Sequence, residues 1–123
     1  MKKIVECKLV IECNNEDGNS KSVIEGRGYY KETDGMKIIY FNNDSDKYKY
    51  EYINDKVVIY FNDSCYNFIL NKKGEGEIKN GEFILKLTTL ASKIEFNNNC
   101  ICVDYSLYQN DIKLGEYKTN LFF

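Results

Sequence analysis

The sequence predicts an all-β chain: one single-domain antiparallel up-and-down β-barrel of about 8–10 strands. Three observations carry that expectation. Apolar residues recur with period two along most of the 123 residues, and no segment carries a helical stripe. Turn-forming groups of Asn, Asp and Gly interrupt these runs at roughly 8–12-residue spacing, the rhythm of hairpins. Eleven Tyr and seven Phe bring aromatics to 15%, a composition suited to pleated, half-buried surfaces. Proline is absent, so no edge is protected that way, and closing the sheet is the economical means of removing sticky edges.

Taken in order, residues 3–13 set Val5, Cys7, Leu9, Ile11 and Cys13 against Glu6, Lys8 and Glu12, with Val10 out of phase. Asp17-Gly18 turns the chain into 20–32, where Gly26 and Gly28 stand inside SVIEGRGYYKE. Glycine weakens a strand and marks a bend or bulge, which suits a long strand curving around a small barrel. Asp34-Gly35 leads to 36–42. The next run, 47–53, alternates Tyr48, Tyr50 and Tyr52 with Lys47, Lys49 and Glu51. After Asn54-Asp55, Val57, Ile59 and Phe61 share a face in 56–62, and 65–71 follows. The charge-rich LNKKGEGEIKNGE, around Lys72 to Glu82, reads as a mobile loop or poorly formed hairpin. Asn80-Gly81 then precedes 82–96, where Phe83, Leu85 and Leu87 share a face, a break is allowed, and Thr88-Thr89 disfavours a helix. Beyond Asn97-Asn98-Asn99, residues 100–108 place Ile101, Val103, Tyr105 and Leu107 on an inner face, opposite Cys100, Cys102, Asp104, Ser106 and Tyr108. Gln109-Asn110-Asp111 turns the chain into 112–123, expected to close the barrel, so the terminus is structural. This reading gives about nine strands.

Charge and composition exclude several chemistries. The net charge is -2, from 17 basic and 19 acidic residues, without the basic surplus that phosphate neutralisation demands; no nucleic-acid partner is expected. Glu6, Lys8 and Glu12 interrupt the apolar N-terminal run, and no stretch is long enough for a membrane helix, so a cytoplasmic location without membrane partner is expected. Five cysteines, an odd number, argue for free thiols. The absence of histidine rules out Ser-His-Asp and Cys-His pairs within the chain, together with His-based metal sites. Cys7 with Cys13, and Cys100 with Cys102, could in principle offer four thiolates to zinc. Six residues of strand span roughly 20 Å, however, too far for both Cys7 and Cys13 to reach one ion. No metal and no cofactor are expected. Nothing singles out a carboxylate pair among the 19 acids, and neither GEG nor GRG precedes a helix that would make a phosphate loop. The chain is not expected to be an enzyme.

The residues left as ligand candidates are Arg27, Tyr29, Tyr50 and Tyr105. Arg27, between two glycines, could grip an anion from a barrel mouth with its planar fork. The plainer reading is a surface arginine paired with Glu25, Glu32 or another acid. Tyrosine stripes can line a ligand cavity, but more often they pack a sheet with hydroxyls to water. Period two alone leaves open which face is interior at Arg27 and at Tyr48–Tyr52.

Most of the chain also resembles the YwiB-like family of small bacterial proteins of unknown function. The likeness rests on GYYKETDGMKIIYF at 28–41, NGEFILKLTTLASKIEF at 80–96 and ICVDYSLYQNDIKLGEYKTNLFF at 101–123. The matching positions are Gly28, Tyr29 and Tyr30; Gly81, Phe83, Leu85 and Thr89; and Tyr105, Leu107 and Gly115. The chain departs from the family at Tyr60-Phe61-Asn62-Asp63, which lacks an arginine-glycine step, and at Glu77-Ile78-Lys79, which lacks a Tyr-Thr pair. What the resemblance implies is a lipocalin-like (calycin) barrel; it implies no activity. Two functions from different classes follow as expectations. One is a module holding a small apolar or amphipathic ligand inside the barrel. The other is a protein-interaction or structural module whose barrel is filled by its own side chains.

Overall fold

The computed structural model describes residues 2–123, which form ten strands in one closed antiparallel barrel. They are β1 (Lys2–Asn15), β2 (Gly18–Thr33), β3 (Met36–Asn43), β4 (Asp46–Ile53), β5 (Lys56–Phe61), β6 (Ser64–Ile69), β7 (Lys73–Asn80), β8 (Phe83–Asn97), β9 (Cys100–Gln109) and β10 (Ile112–Phe122). Each strand pairs with its sequence neighbours, and β1 pairs with β10 from Lys8↔Phe122 to Asn14↔Glu116, sealing the barrel. Tight turns follow from residues that tolerate positive φ. Asp34-Gly35 and Asn110-Asp111 each place both central residues there, the requirement of the type I′ hairpin turn.

Ten strands stand where the sequence suggested about nine, and the difference lies at residues 72–82. That segment is not a loop: β7 pairs with β8 along its length, from Lys73↔Leu90 to Asn80↔Phe83. Its inward positions are Gly74, Gly76 and Ile78, so period two is present without the apolar bulk that normally announces it. A side chain at Gly74 would collide with the carbonyl oxygen of Asn67 on β6, which explains the small residue. The break allowed in 82–96 is a register shift between Ala91 and Lys93 against β9.

Gly26 and Gly28 cause no bulge; β2 keeps register with β1 from Gly18 to Lys31 and with β3 from Arg27 to Thr33. Their role is close approach. A Cβ on Gly28 would sit inside the van der Waals shell of the Tyr40 carbonyl and only 2.6 Å from Phe41 Cα. β3, paired alongside β2, therefore brings its backbone into the space that a side chain at Gly28 would occupy.

Because the strands run alternately up and down, the turns at 16–17, 44–45, 62–63, 81–82 and 110–111 all lie at one end. At the opposite end the interior is shut by a chain of rings. Tyr30 stacks on Phe123 at 5.4 Å, Phe123 meets Phe96 at 5.8 Å, and Phe96 meets Tyr52 at 5.4 Å. The centre is fully packed by Ile39, Phe41, Val57, Phe68, Ile101, Val103 and Leu121. Ile101, Val103 and Leu107 are buried as their alternation predicts. Among the described residues no helix is long and apolar enough to cross a membrane.

Candidate functional site

The polar chemistry of the interior is concentrated above this packed floor, towards the end that carries the five turns. Tyr50 on β4 is buried beside Thr119 on β10. The Thr119 hydroxyl donates to the Val103 carbonyl at 2.9 Å, which leaves its oxygen lone pairs for the Tyr50 hydroxyl. Tyr105 on β9 stacks on Tyr117 at 5.1 Å and packs on Phe68 with centroids 4.5 Å apart. The titratable neighbours of Tyr105 are Tyr50, Tyr117, Tyr66 and Cys13. Tyr117 is hydrogen-bonded to the Cys13 thiol across the β1–β10 seam. Four phenols, a thiol and one threonine thus meet towards one end of the interior, where Tyr48 and Ser64 are buried as well.

Burial dominates the acid–base behaviour of this cluster. Loss of hydration pushes the Tyr50, Tyr66, Tyr105 and Tyr117 phenols above their ordinary range, Tyr105 most strongly. All four are neutral donors and acceptors at physiological pH. Tyr66, Tyr105, Tyr117 and Cys13 remain partly exposed, whereas the layer beneath them is closed. The arrangement is a partly exposed cluster of hydrogen-bonding groups above an apolar floor. It offers polar contact without formal charge.

The four sequence candidates separate into two places. Tyr50 and Tyr105 meet inside the barrel. Arg27 lies on the outer wall, where Nε and Nη2 donate to Glu6 Oε1 at 3.0 and 2.8 Å, both side chains being 74% exposed. An outward guanidinium engaged with Glu6 does not reach the barrel mouth. Tyr29 is also on the outer wall, stacked on Tyr40 at 5.3 Å with the Lys2 ammonium 4.1 Å above its ring. Sequence reasoning did not single out Tyr66, Tyr117 or Thr119, and it weighed Cys13 only as a zinc thiolate. Hairpin register could have found Tyr66, since Tyr50↔Ile59 and Ile59↔Tyr66 place it in one row with Tyr50. Tyr117 was hidden by a register shift between Lys113 and Gly115, which changes every β9–β10 pairing beyond Lys113.

The outer wall carries two open grooves of ≈ 500 Å³ each. One crosses β6 to β9 past Cys65, Asn67, Glu75, Glu77, Lys86 and Asp111. The other crosses β10, β1 and β2 past Glu12, Asn14, Lys21, Glu116 and Lys118. Both mix charges of either sign on solvated strand faces. Among the described residues no group of three or more Cys, Asp or Glu is arranged to hold a metal ion, and all five cysteines are unpaired.

Fold and interior together define a small, all-antiparallel ten-stranded barrel with an aromatic core. Its likeness is to the ywiB protein from Bacillus subtilis, whose crystal structure superposes with a TM-score of 0.76 and covers 98% of this chain and 92% of that chain. Identity over the match is 10%, so the likeness is one of fold. No family model and no curated protein matches the sequence.

Proposed function

We propose that the chain is a cytoplasmic, non-enzymatic binding module that holds a small amphipathic molecule in a shallow cup formed by Tyr66, Tyr105, Tyr117 and Cys13. The observation that carries this reading is the convergence of Tyr66, Tyr105, Tyr117 and Cys13, partly exposed and inward-facing, at one end of a closed apolar barrel. A ligand with an apolar body and a neutral hydroxyl or amide head would place the body on Phe68 and Leu107 and the head among the phenols. Up-and-down barrels of the lipocalin kind give the fold precedent, though ligand size differs: the packed centre confines this ligand to the cup. Five unpaired thiols favour a reducing compartment.

The test is native mass spectrometry of the chain purified from its own host, paired with titration of the neutral fluorescent probe N-phenyl-1-naphthylamine. A low-mass species released on denaturation is expected, and Cys13→Trp, which fills the cup, should abolish both it and probe uptake. A bare chain from every preparation, with no probe uptake, would sink the reading.

A second reading has its own observation. Phe83, Ile84, Ile112 and Leu114 are exposed on the β7–β8 and β9–β10 hairpin tips, at the same end as the cup. Such a rim suits a protein partner. A second polypeptide in the same spectra, lost on joint Phe83→Ser and Ile112→Ser substitution while the low-mass species persists, would favour it.

A further inference from the structure

On the outer face of β9, away from the cup, two thiols lie side by side. Cys100 and Cys102 are two positions apart on one strand, so period two turns both to the same side, and their sulfurs are 3.6 Å apart. β8 and β10 flank them: Cys100 pairs with Asn97 and Phe122, and Cys102 with Glu95 and Asn120. The strand backbone is held on both sides, and Phe123 N–H donates to the Asn99 carbonyl at 2.9 Å just before the pair. Both side chains are partly accessible. The other three cysteines lie elsewhere: Cys7 is buried in the core, Cys13 is at the cup and Cys65 is on β6.

We propose that Cys100 and Cys102 form a bidentate site for a trivalent arsenical centre, bound through both sulfurs.

A direct disulfide fits this geometry poorly. Two residues of strand separate the Cα atoms by about 6.6–6.8 Å, at the far limit of the disulfide range. The sulfurs would also have to close from 3.6 Å to about 2.05 Å. One atom inserted between them requires far less movement, because each sulfur approaches the shared centre rather than its neighbour. Once the first sulfur has bonded, the second is already in place, and that intramolecular advantage is what a rigid strand supplies.

The protonation state selects among thiophilic centres. Burial, then the contact with Cys102, pushes the Cys100 thiol up to about 11, so it is protonated at neutral pH. A metal ion needs thiolates and must expel the Cys100 proton against that preference. An organoarsenic(III) oxide does not: R–As=O reacts with two S–H groups, two As–S bonds form, the As–O bonding is lost, and the oxygen leaves with both protons as water. Arsenic stays trivalent, and no oxidant or reductant takes part. With only two sulfurs and no third Cys, Asp or Glu ligand among the described residues, the site also fails to complete a tetrahedral metal shell.

The experiment incubates folded protein with phenylarsine oxide at one equivalent and reads intact mass under native conditions. The expected result is a single adduct of the probe less one water. Cys100→Ser and Cys102→Ser should each reduce the adduct at least tenfold, while Cys13→Ser and Cys65→Ser retain it. Far-UV circular dichroism checks that each variant is folded, and Cys100→Ala and Cys102→Ala replace any serine variant that is not. No adduct on folded wild type, or an adduct that survives loss of either Cys100 or Cys102, overturns the proposal.

Discussion

Removing Leu121 to Phe123 tests whether the chain's end is architecture. Leu121 is 0% exposed, opposite Leu9 of β1 and Ile101 of β9, so it belongs to both walls of the closing seam. Emptying such a site costs about 2–5 kcal/mol. Phe123 joins Tyr30 to Phe96, and each aromatic contact contributes about 0.5–1.5 kcal/mol beyond its burial. The truncation also deletes the Lys8↔Phe122 pairing and the hydrogen bond from Phe123 to Asn99. The combined loss, roughly 3–8 kcal/mol, is comparable with the total stability of a domain this size, about 6–18 kcal/mol. The truncated chain should be largely unfolded at 37 °C by circular dichroism. For a graded version, Leu121→Ala should lose about 3 kcal/mol, which at a urea dependence of ~1.5 kcal/mol/M lowers the midpoint by ~2 M. A truncated chain whose urea midpoint stays within ~0.5 M of wild type would refute the argument, because the seam would then contribute almost nothing.

Two further outcomes follow from the interior. Gly28→Ala should cost ~3 kcal/mol or more, since its Cβ meets backbone of β3 that cannot turn aside, whereas Gly115→Ala, with nothing nearer than 3.4 Å, should cost under ~1 kcal/mol; equal urea midpoints for the two variants would contradict the close approach. Alkaline pH should destabilise the fold, because burial raises Cys7 from 9.0 to about 11 and Tyr60, through burial and its Glu51 hydrogen bond, from 10.0 to about 12. Groups whose folded pKa is raised contribute stability that is complete below the unfolded pKa and is lost as pH climbs towards the folded one. Unfolding free energy should therefore hold to about pH 9 and fall between pH 9 and 12, with Cys7 alone accounting for ~2–3 kcal/mol; a flat profile across that window in urea titrations would count against buried, protonated thiols and phenols.

Where inward positions carried bulk, alternation told the truth about the fold. Ile101, Val103, Tyr105 and Leu107 read as an inner face and form one. The pattern failed at β7, where the inward residues are Gly74 and Gly76, chosen for the approach of a neighbouring backbone rather than for hydrophobicity. A period is invisible when its marked positions are the smallest residues. The site was less legible for a related reason. Tyrosines occur on both faces, and nothing local distinguishes Tyr29, stacked outside on Tyr40, from Tyr105, stacked inside on Tyr117. That difference is fixed by register across strands, and β10 shifts its register between Lys113 and Gly115. The placement of Arg27 depended on the same parity, which runs through Gly26 and Gly28 on the opposite face.

The seam between the first strand and the last has a consequence during synthesis. Every other pairing joins strands adjacent in sequence and can form as the chain emerges, but β1 must wait for β10. With translation at about 5–20 residues per second, the nascent sheet stays open for several seconds, with β1 exposing an unpaired edge. The long-range closure then comes only after β10 has emerged, and it comes last in loop-closure terms as well. Nascent chains in which β10 has not yet emerged are therefore the form most exposed to edge-to-edge association, and a factor that shields a strand edge would act on them rather than on the finished barrel.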